Sequence, residues 1–324
     1  MLKFILKRIL MMIPVILGVT LLVFTMNAIS PGDPAQILAG DSATEEAVEQ
    51  LREELGLNKP FVVRFFDYVK NLALHGDLGM SYKTKRSVSI EIFDRLPTTI
   101  GLALVSMALG TIIAIPIGVI SAIRQNTYLD NTLMVTALIG VSMPTFWQAL
   151  MMIILFAVNL RWLPSFGFET WKHWVLPVVT IGTGAAGALA RITRSSMLEV
   201  IRQDYIRTAR AKGQTESKVI VRHALKNSMI PIITAAAIQL GYLMGGTVLA
   251  ETVFSIPGIG MFMLQSIKSR DYPAVQGGVV VLAIIFCIMN LIVDIVYTFV
   301  DPRLKTMYQT KKRLVANPVA KNTV

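Results

Sequence analysis

Six stretches of this chain are apolar over roughly 20 residues, the length a helix needs to cross a hydrocarbon core about 30 Å thick. They cover about 9–29, 98–123, 132–160, 174–190, 228–250 and 274–297. Five of them hold no charged residue, and the sixth holds only Asp294, near one end. Hydrocarbon offers no partner to a backbone N–H or C=O, so a spanning segment must satisfy its own, as a helix does. The expected fold is therefore an all-α integral membrane protein with six transmembrane helices. The composition agrees: 54% of the residues are hydrophobic and 16% charged, too little polar surface for a soluble domain of 324 residues.

Pro116 and Pro144 fall inside the second and third runs and are expected to kink or loosen them. Lys3, Lys7 and Arg8 before the first run resemble the basic start of a signal peptide. Its 21 apolar residues exceed an ordinary signal core of about 7–15. It reads as a retained helix.

The net charge of +11 is unevenly spread. The N-terminus carries three cations, segment 191–227 nine and the tail after Val300 six. Loops 161–173 and 251–273 carry two each. Six spans put the basic pieces on one side, and the positive-inside rule makes that side the cytoplasm, with both termini there. The chain then divides into a cytoplasmic N-terminus and first span (1–29), an extracytoplasmic helical domain (30–97), a five-helix core (98–300) enclosing the cytoplasmic loop 191–227, and a cytoplasmic tail (301–324).

Segment 30–97 has helical signals of its own. Ser42 and Glu45 match a capping box, and Val48, Leu51 and Leu55 follow at helical spacing up to Gly56. Pro60 suits a first helical turn; Val62, Phe65, Phe66, Val69 and Leu72 form an apolar face that Gly76 ends. A small helical hairpin is expected. It reads equally well as a packed cap on the spans and as a platform or flap over an entrance.

Chemistry is mostly absent from the pattern. Cys287 is a lone cysteine in an apolar run, and His75, His173 and His223 lack zinc-ligand spacing. There is no GxSxG, no HExxH and no GxxxxGK[ST], so no catalytic residue, metal site or bound cofactor is expected. An ion-coupled secondary transporter is the competing class, and it needs ionisable groups at mid-membrane depth. Asp294 and Glu251 both lie near span ends and read as facing water on opposite sides. Asn27, Gln148, Gln239 and Asn290 read as interhelical hydrogen bonders. Gly241-x-x-x-Gly245 reads as a close helix approach.

The basic segment RTARAKGQTESKVIVRHALKNSMIP, 207–231, has the most informative pattern. Ile206, Ala209 and Gly213 share one small face. Gly213 fits the position where positive φ ends a helix, and Thr215 can cap a second, with Glu216 in its first turn. Val219, Ile220, Ala224 and Leu225 give that helix an apolar side, and Pro231 begins the fifth span. A small-faced surface helix can enter a groove on another protein. A basic helix lying on anionic membrane lipid fits as well. Nucleic acid is not an expected partner.

This segment resembles the EAA loop of bacterial ABC importer permeases, written E-A-A-x-x-x-G, nine residues, then I-x-L-P. Ala209, Gly213 and Leu225 match it. Arg207, Thr208, His223 and Lys226 depart from it in the manner of the dipeptide and oligopeptide branch, which keeps a proline five residues later, here Pro231. Other stretches are similar to that branch in order along the chain: K-R-I-L-x-x-I-P (7–14), S-P-G-D-P (30–34), E-L-G-L-N-K-P (54–60), H-G-D-L-G-x-S (75–81), A-R-I-T-R-S-S-M-L-E-V (190–200), P-G-I-G (257–260), R-D-Y-P-A-V-Q-G (270–277) and D-P-R-L-K (301–305). The resemblance implies a type I ABC importer permease fold and the first permease of a pair. It implies a heterodimer with a second permease, two ATPase subunits that hold ATP and Mg, and an extracytoplasmic substrate-binding protein. The location implied is the bacterial plasma membrane. Arg207, Thr208, Ala209, Arg210, Lys212, Gly213, Gln214, Glu216 and His223 would form the ATPase-coupling site. The branch covers peptide, glutathione and nickel importers, with dipeptides or oligopeptides the leading expectation.

Overall fold

The computed structural model describes residues 2–30, 32–40 and 43–300. Ser42 and the tail 301–324, with its D-P-R-L-K run, lie outside the described residues. In chain order the helices are α1 (Leu2–Ile29), α2 (Pro34–Ala39), α3 (Glu45–Glu54), α4 (Phe61–His75), α5 (Val88–Ile123), α6 (Tyr128–Ser142) and α7 (Thr145–Met152). A π-helical stretch, Ile153–Asn159, extends α7. There follow α8 (Trp171–Ile201), α9 (Asp204–Ala211), α10 (Glu216–Lys218) and a second π stretch, Val219–Leu225. The series closes with α11 (Lys226–Gly246), α12 (Val248–Val253), α13 (Ile259–Lys268) and α14 (Tyr272–Val300). Among the described residues the only strand-like pairing is the isolated bridge between Met80 and Ser87.

Five helices are long and apolar enough to span, and the third expected span makes the sixth as a broken pair bent by 101°. The break is at Met143–Pro144. Met143 is extended (φ −72°, ψ 127°), the conformation a following proline favours, and Pro144 caps α7. Pro116, expected to loosen its span in the same way, lies inside a continuous α5.

Helix α5 is the long axis of the bundle. Its 36 residues reach about 54 Å at 1.5 Å per residue. Val88 and Ile92 at its start pack with Leu78, Ile259 and Phe262, while Ala122 at its end packs with Met197 and Ile206. Segment 30–97 and the basic segment therefore lie at opposite ends of the bundle. Along its length α5 packs on α8, joined by α6 and α11, and α14 joins α1 to α11.

Glycines allow the tightest contacts. A Cβ on Gly118 would lie 2.7 Å from the Ala190 carbonyl oxygen, and one on Gly187 2.2 Å from that of Ala137. The expected close approach at Gly241 and Gly245 is not made among the described residues. A Cβ on Gly241 would meet Phe286 at an ordinary 3.7 Å, and one on Gly245 would meet nothing within 4 Å. The small residues of α8 carry the role that the G-x-x-x-G spacing suggested for α11.

The two helices expected in 30–97 form, as α3 and α4. Thr44 caps α3 through the Ala47 N–H, two residues after the expected Ser42. Gly56 (φ +64°) and Gly76 (φ +62°) end α3 and α4 as expected. Each helix packs on a different neighbour: α3 on α2, and α4 on α1. Phe65 of α4 meets Phe24 edge to face at 5.2–5.6 Å along with Phe61. Val62 and Phe66, expected on the buried face, are exposed.

Candidate functional site

The basic segment folds as a helix, a glycine turn and a second helix. Gln203 precedes α9 in extended conformation, and α9 runs for two turns. Gly213 then takes φ +72°, with its N–H on the Arg210 carbonyl at 2.9 Å. A side chain there would strain the backbone although the space around it is open. Thr215, extended, precedes α10 but makes no side-chain cap. From Glu216 the chain stays helical through the π stretch and α11, so Pro231 lies inside the helix rather than at its start.

The small face of α9 turns inward. Ile206 is fully buried and Ala209 nearly so, packed with Val219, Ile220 and Ala224 and with Ala122 and Met197 from the ends of α5 and α8. Burying an isoleucine side chain is worth about 1.5–3 kcal/mol. This cluster fixes α9 to three long helices at once. The exposed face is instead Arg207, Thr208, Arg210, Lys212 and Gly213. Arg210 forks onto Glu216 across the turn, with Nη2–Oε1 at 2.7 Å and Nε–Oε2 at 3.1 Å. That carboxylate raises the Arg210 pKa further above its ordinary value. Gln214 and His223 face each other at 2.8 Å from Oε1 to Nε2 and close the turn from beneath. Eight of the nine expected site residues thus gather at one turn, and Ala209 is its buried anchor.

A second cluster beside it had no motif to announce it. The Asp130 carboxylate, 1% exposed, accepts from Arg194 Nε (2.8 Å) and Nη2 (2.7 Å), from the Asn126 N–H (2.9 Å) and from Ser121. It ties the start of α6 to the ends of α5 and α8. Arg194 had counted as loop charge and as one position of the 190–200 stretch, with no partner assigned. The available signal was an aspartate three residues after a capping threonine, Thr127, on an otherwise apolar helix.

At the other end, Glu251 is fully buried and does not face water as expected. It accepts from Thr99 Oγ1 (2.8 Å), Thr247 Oγ1 (3.1 Å) and the Met261 N–H (3.1 Å). Gly258 and Gly260 of P-G-I-G leave room for it: a Cβ on Gly258 would lie 2.3 Å from the carboxylate carbon. Asp294 pairs with Arg8 at 2.8 Å. Of the neutral groups, Asn27 bonds across to the Tyr272 carbonyl and Gln148 to Thr183, whereas Asn290 bonds within its own helix.

A helical bundle with a broken span and a charged helix–turn–helix packed against one end is the architecture of a multi-pass membrane protein. The chain belongs to the binding-protein-dependent transport system inner membrane component family. That family's model matches residues 114–306, and the model of its N-terminal part matches 1–103. The chain is 43% identical to the dipeptide transport system permease protein DppB of Alkalihalophilus pseudofirmus, over 94% of this chain and all of that one. It is 39% identical to the glutathione transport system permease protein GsiC of Escherichia coli O6:H1, over 94% and 99%. In structure it is similar to an inward-facing MetNI methionine ABC transporter, with a TM-score of 0.58 at 22% identity over 65% of this chain and 96% of that one. The expected fold and class stand: this is an ABC importer permease, a multi-pass membrane subunit and not itself an enzyme.

Proposed function

We propose that this chain forms half of the pore of an ATP-driven dipeptide importer, and that α9 with the Gly213 turn is its coupling element. The observation that carries the coupling role is the inward packing of Ile206 and Ala209 on α5, α8 and the π stretch that continues into α11. A push on the exposed Arg207–Gly213 face reaches three membrane helices through a packed cluster, with no loose joint between. In this reading two ATPase subunits bind that face, and ATP binding drives alternating access. A second permease completes the pore as a heterodimer, within membrane lipid, and an extracytoplasmic binding protein delivers substrate. Both termini and the 191–227 loop are cytoplasmic, and 30–97 is outside.

The DppB likeness supports dipeptide as the substrate. The GsiC likeness favours glutathione as the second reading, itself a modified tripeptide. Uptake of a labelled dipeptide, glutathione and nickel by cells with and without the gene tests this. Loss of dipeptide uptake alone supports the proposal. Loss of only glutathione or only nickel uptake moves the substrate and leaves the coupling role in place.

A further inference from the structure

Segment 30–97 encloses a cavity of about 370 Å³ between α1, the start of α4, the 78–82 turn and the start of α14. That is within the range of small-molecule sites, about 300–1,000 Å³. Its buried wall presents unused donors. Gln276 is 6% exposed; its Oε1 accepts from Asn27, and among the described residues its Nε2 has only the poorly aligned Tyr68 hydroxyl beside it. The buried Tyr68 hydroxyl lies beside that nitrogen, and among the described residues neither group has a well-aligned hydrogen-bond partner. Arg64, half-buried, lies over the Phe24 ring at 5.8 Å. Among the described residues, no carboxylate pairs with it. Burial pushes the neighbouring Tyr82 phenol up to about 12, so it too stays a neutral donor. The mouth has the opposite character: Glu54 and Asp67 are exposed there, Asp67 with Lys59 at 3.1 Å.

We propose that this cavity is a binding site for a small zwitterion of amino-acid or dipeptide size, its carboxylate on Arg64 and Gln276 and its ammonium toward Glu54 at the mouth. A buried amide donor without a well-aligned acceptor is costly unless a ligand supplies one, and a carboxylate, which the half-buried Arg64 can also grip, is the strongest kind of acceptor. The graded exposure, donors within and carboxylates at the rim, matches a ligand carrying both charges. A simple anion would gain nothing from the acidic mouth. The site lies at the end of the bundle opposite the Gly213 turn, so it is separate from the coupling element. Its ligand class follows from the cavity's own chemistry, whichever substrate crosses the membrane.

The full chain, co-expressed with its partner subunits and held in lipid nanodiscs without binding protein, is titrated with Ala-Ala, its C-terminal amide and its N-acetyl form. Saturable Ala-Ala binding is expected, weakened about tenfold or more by Arg64→Gln and by Gln276→Leu. The C-terminal amide is expected to bind weakly and to lose its dependence on Arg64, and the N-acetyl form its dependence on Glu54→Gln. Thermal melting of each variant separates a lost contact from a lost fold. Arg64 and Glu54 are at least partly exposed, so their variants should melt like the parent protein. Absence of saturable binding, binding indifferent to Arg64→Gln in a folded variant, or a phospholipid held in the cavity in native mass spectrometry would each overturn the proposal. Dipeptide uptake by cells is a separate readout, so failure of the substrate assignment and failure of this site are distinguishable.

Discussion

Arg194 grips Asp130 through two parallel hydrogen bonds of 2.8 and 2.7 Å, joining the end of α8 to the start of α6. The carboxylate is buried and also takes the Ser121 hydroxyl and the Asn126 N–H, so all its acceptor capacity is engaged. The ends of α5 and α8 also hold α9, through Ala122 and Met197. The pair thus fixes the frame against which the proposed coupling element moves.

Asp130→Ala is expected to leave the Arg194 guanidinium facing a buried void. Losing one partner of an enclosed pair costs about 3–5 kcal/mol. About a quarter of the Arg194 side chain is exposed, so water recovers part of that. Thermal melting in detergent should show a clear drop for Asp130→Ala and for Arg194→Ala. The double variant should lose less than the sum. Simple additivity would show the pair to be energetically idle.

Gly258→Ala should be poorly tolerated, because its Cβ would fall 2.3 Å from the Glu251 carboxylate carbon. Either the carboxyl group leaves Thr99 and Thr247 or the 254–260 turn moves, and a buried polar group without its hydrogen-bond partners is costly. Membrane expression and melting temperature should both fall. A variant as stable as its parent would mean that Glu251 can be displaced freely.

Gly187→Ala and Gly241→Ala should separate cleanly. The first drives a methyl to 2.2 Å from the Ala137 carbonyl oxygen, and the second meets only Phe286 at contact distance. Overpacking costs about 1–3 kcal/mol. Gly241→Ala is expected to melt like the parent. Equal losses at both sites would contradict the packing described here.

Arg210→Ala should hardly change stability, since an exposed ion pair is worth about 0–1 kcal/mol. If the exposed face of α9 is where the ATPases act, dipeptide uptake should nevertheless fall while melting stays the same. Unchanged uptake would remove Arg210 from that surface.

The spans were legible because apolar runs of this length have only one structural solution in a membrane. The turn at Gly213 was legible because glycine after a basic helix end has one common geometry. Less could be read where an outcome depends on three-dimensional neighbours. Pro116 and Pro144 carry the same local signal, yet only the second breaks its helix. Glu251 lies next to an apolar span in sequence, and nothing local shows that Thr99, some 150 positions away, will meet it. Asp130 and Arg194 are ordinary loop-end charges until α6 and α8 pack together. The small face of α9 was visible, but sequence alone did not say whether a partner or the chain itself would cover it.

The central claim is tested most directly at Gly213. Gly213→Val places a β-branched residue at φ +72°, where L side chains are disfavoured by roughly 1–2 kcal/mol, in a turn with open space around it. The account predicts that the variant inserts and assembles with its partner subunits, but that ATP hydrolysis stimulated by binding protein and dipeptide in proteoliposomes falls well below the parent. Full stimulated hydrolysis by an assembled Gly213→Val complex would contradict it.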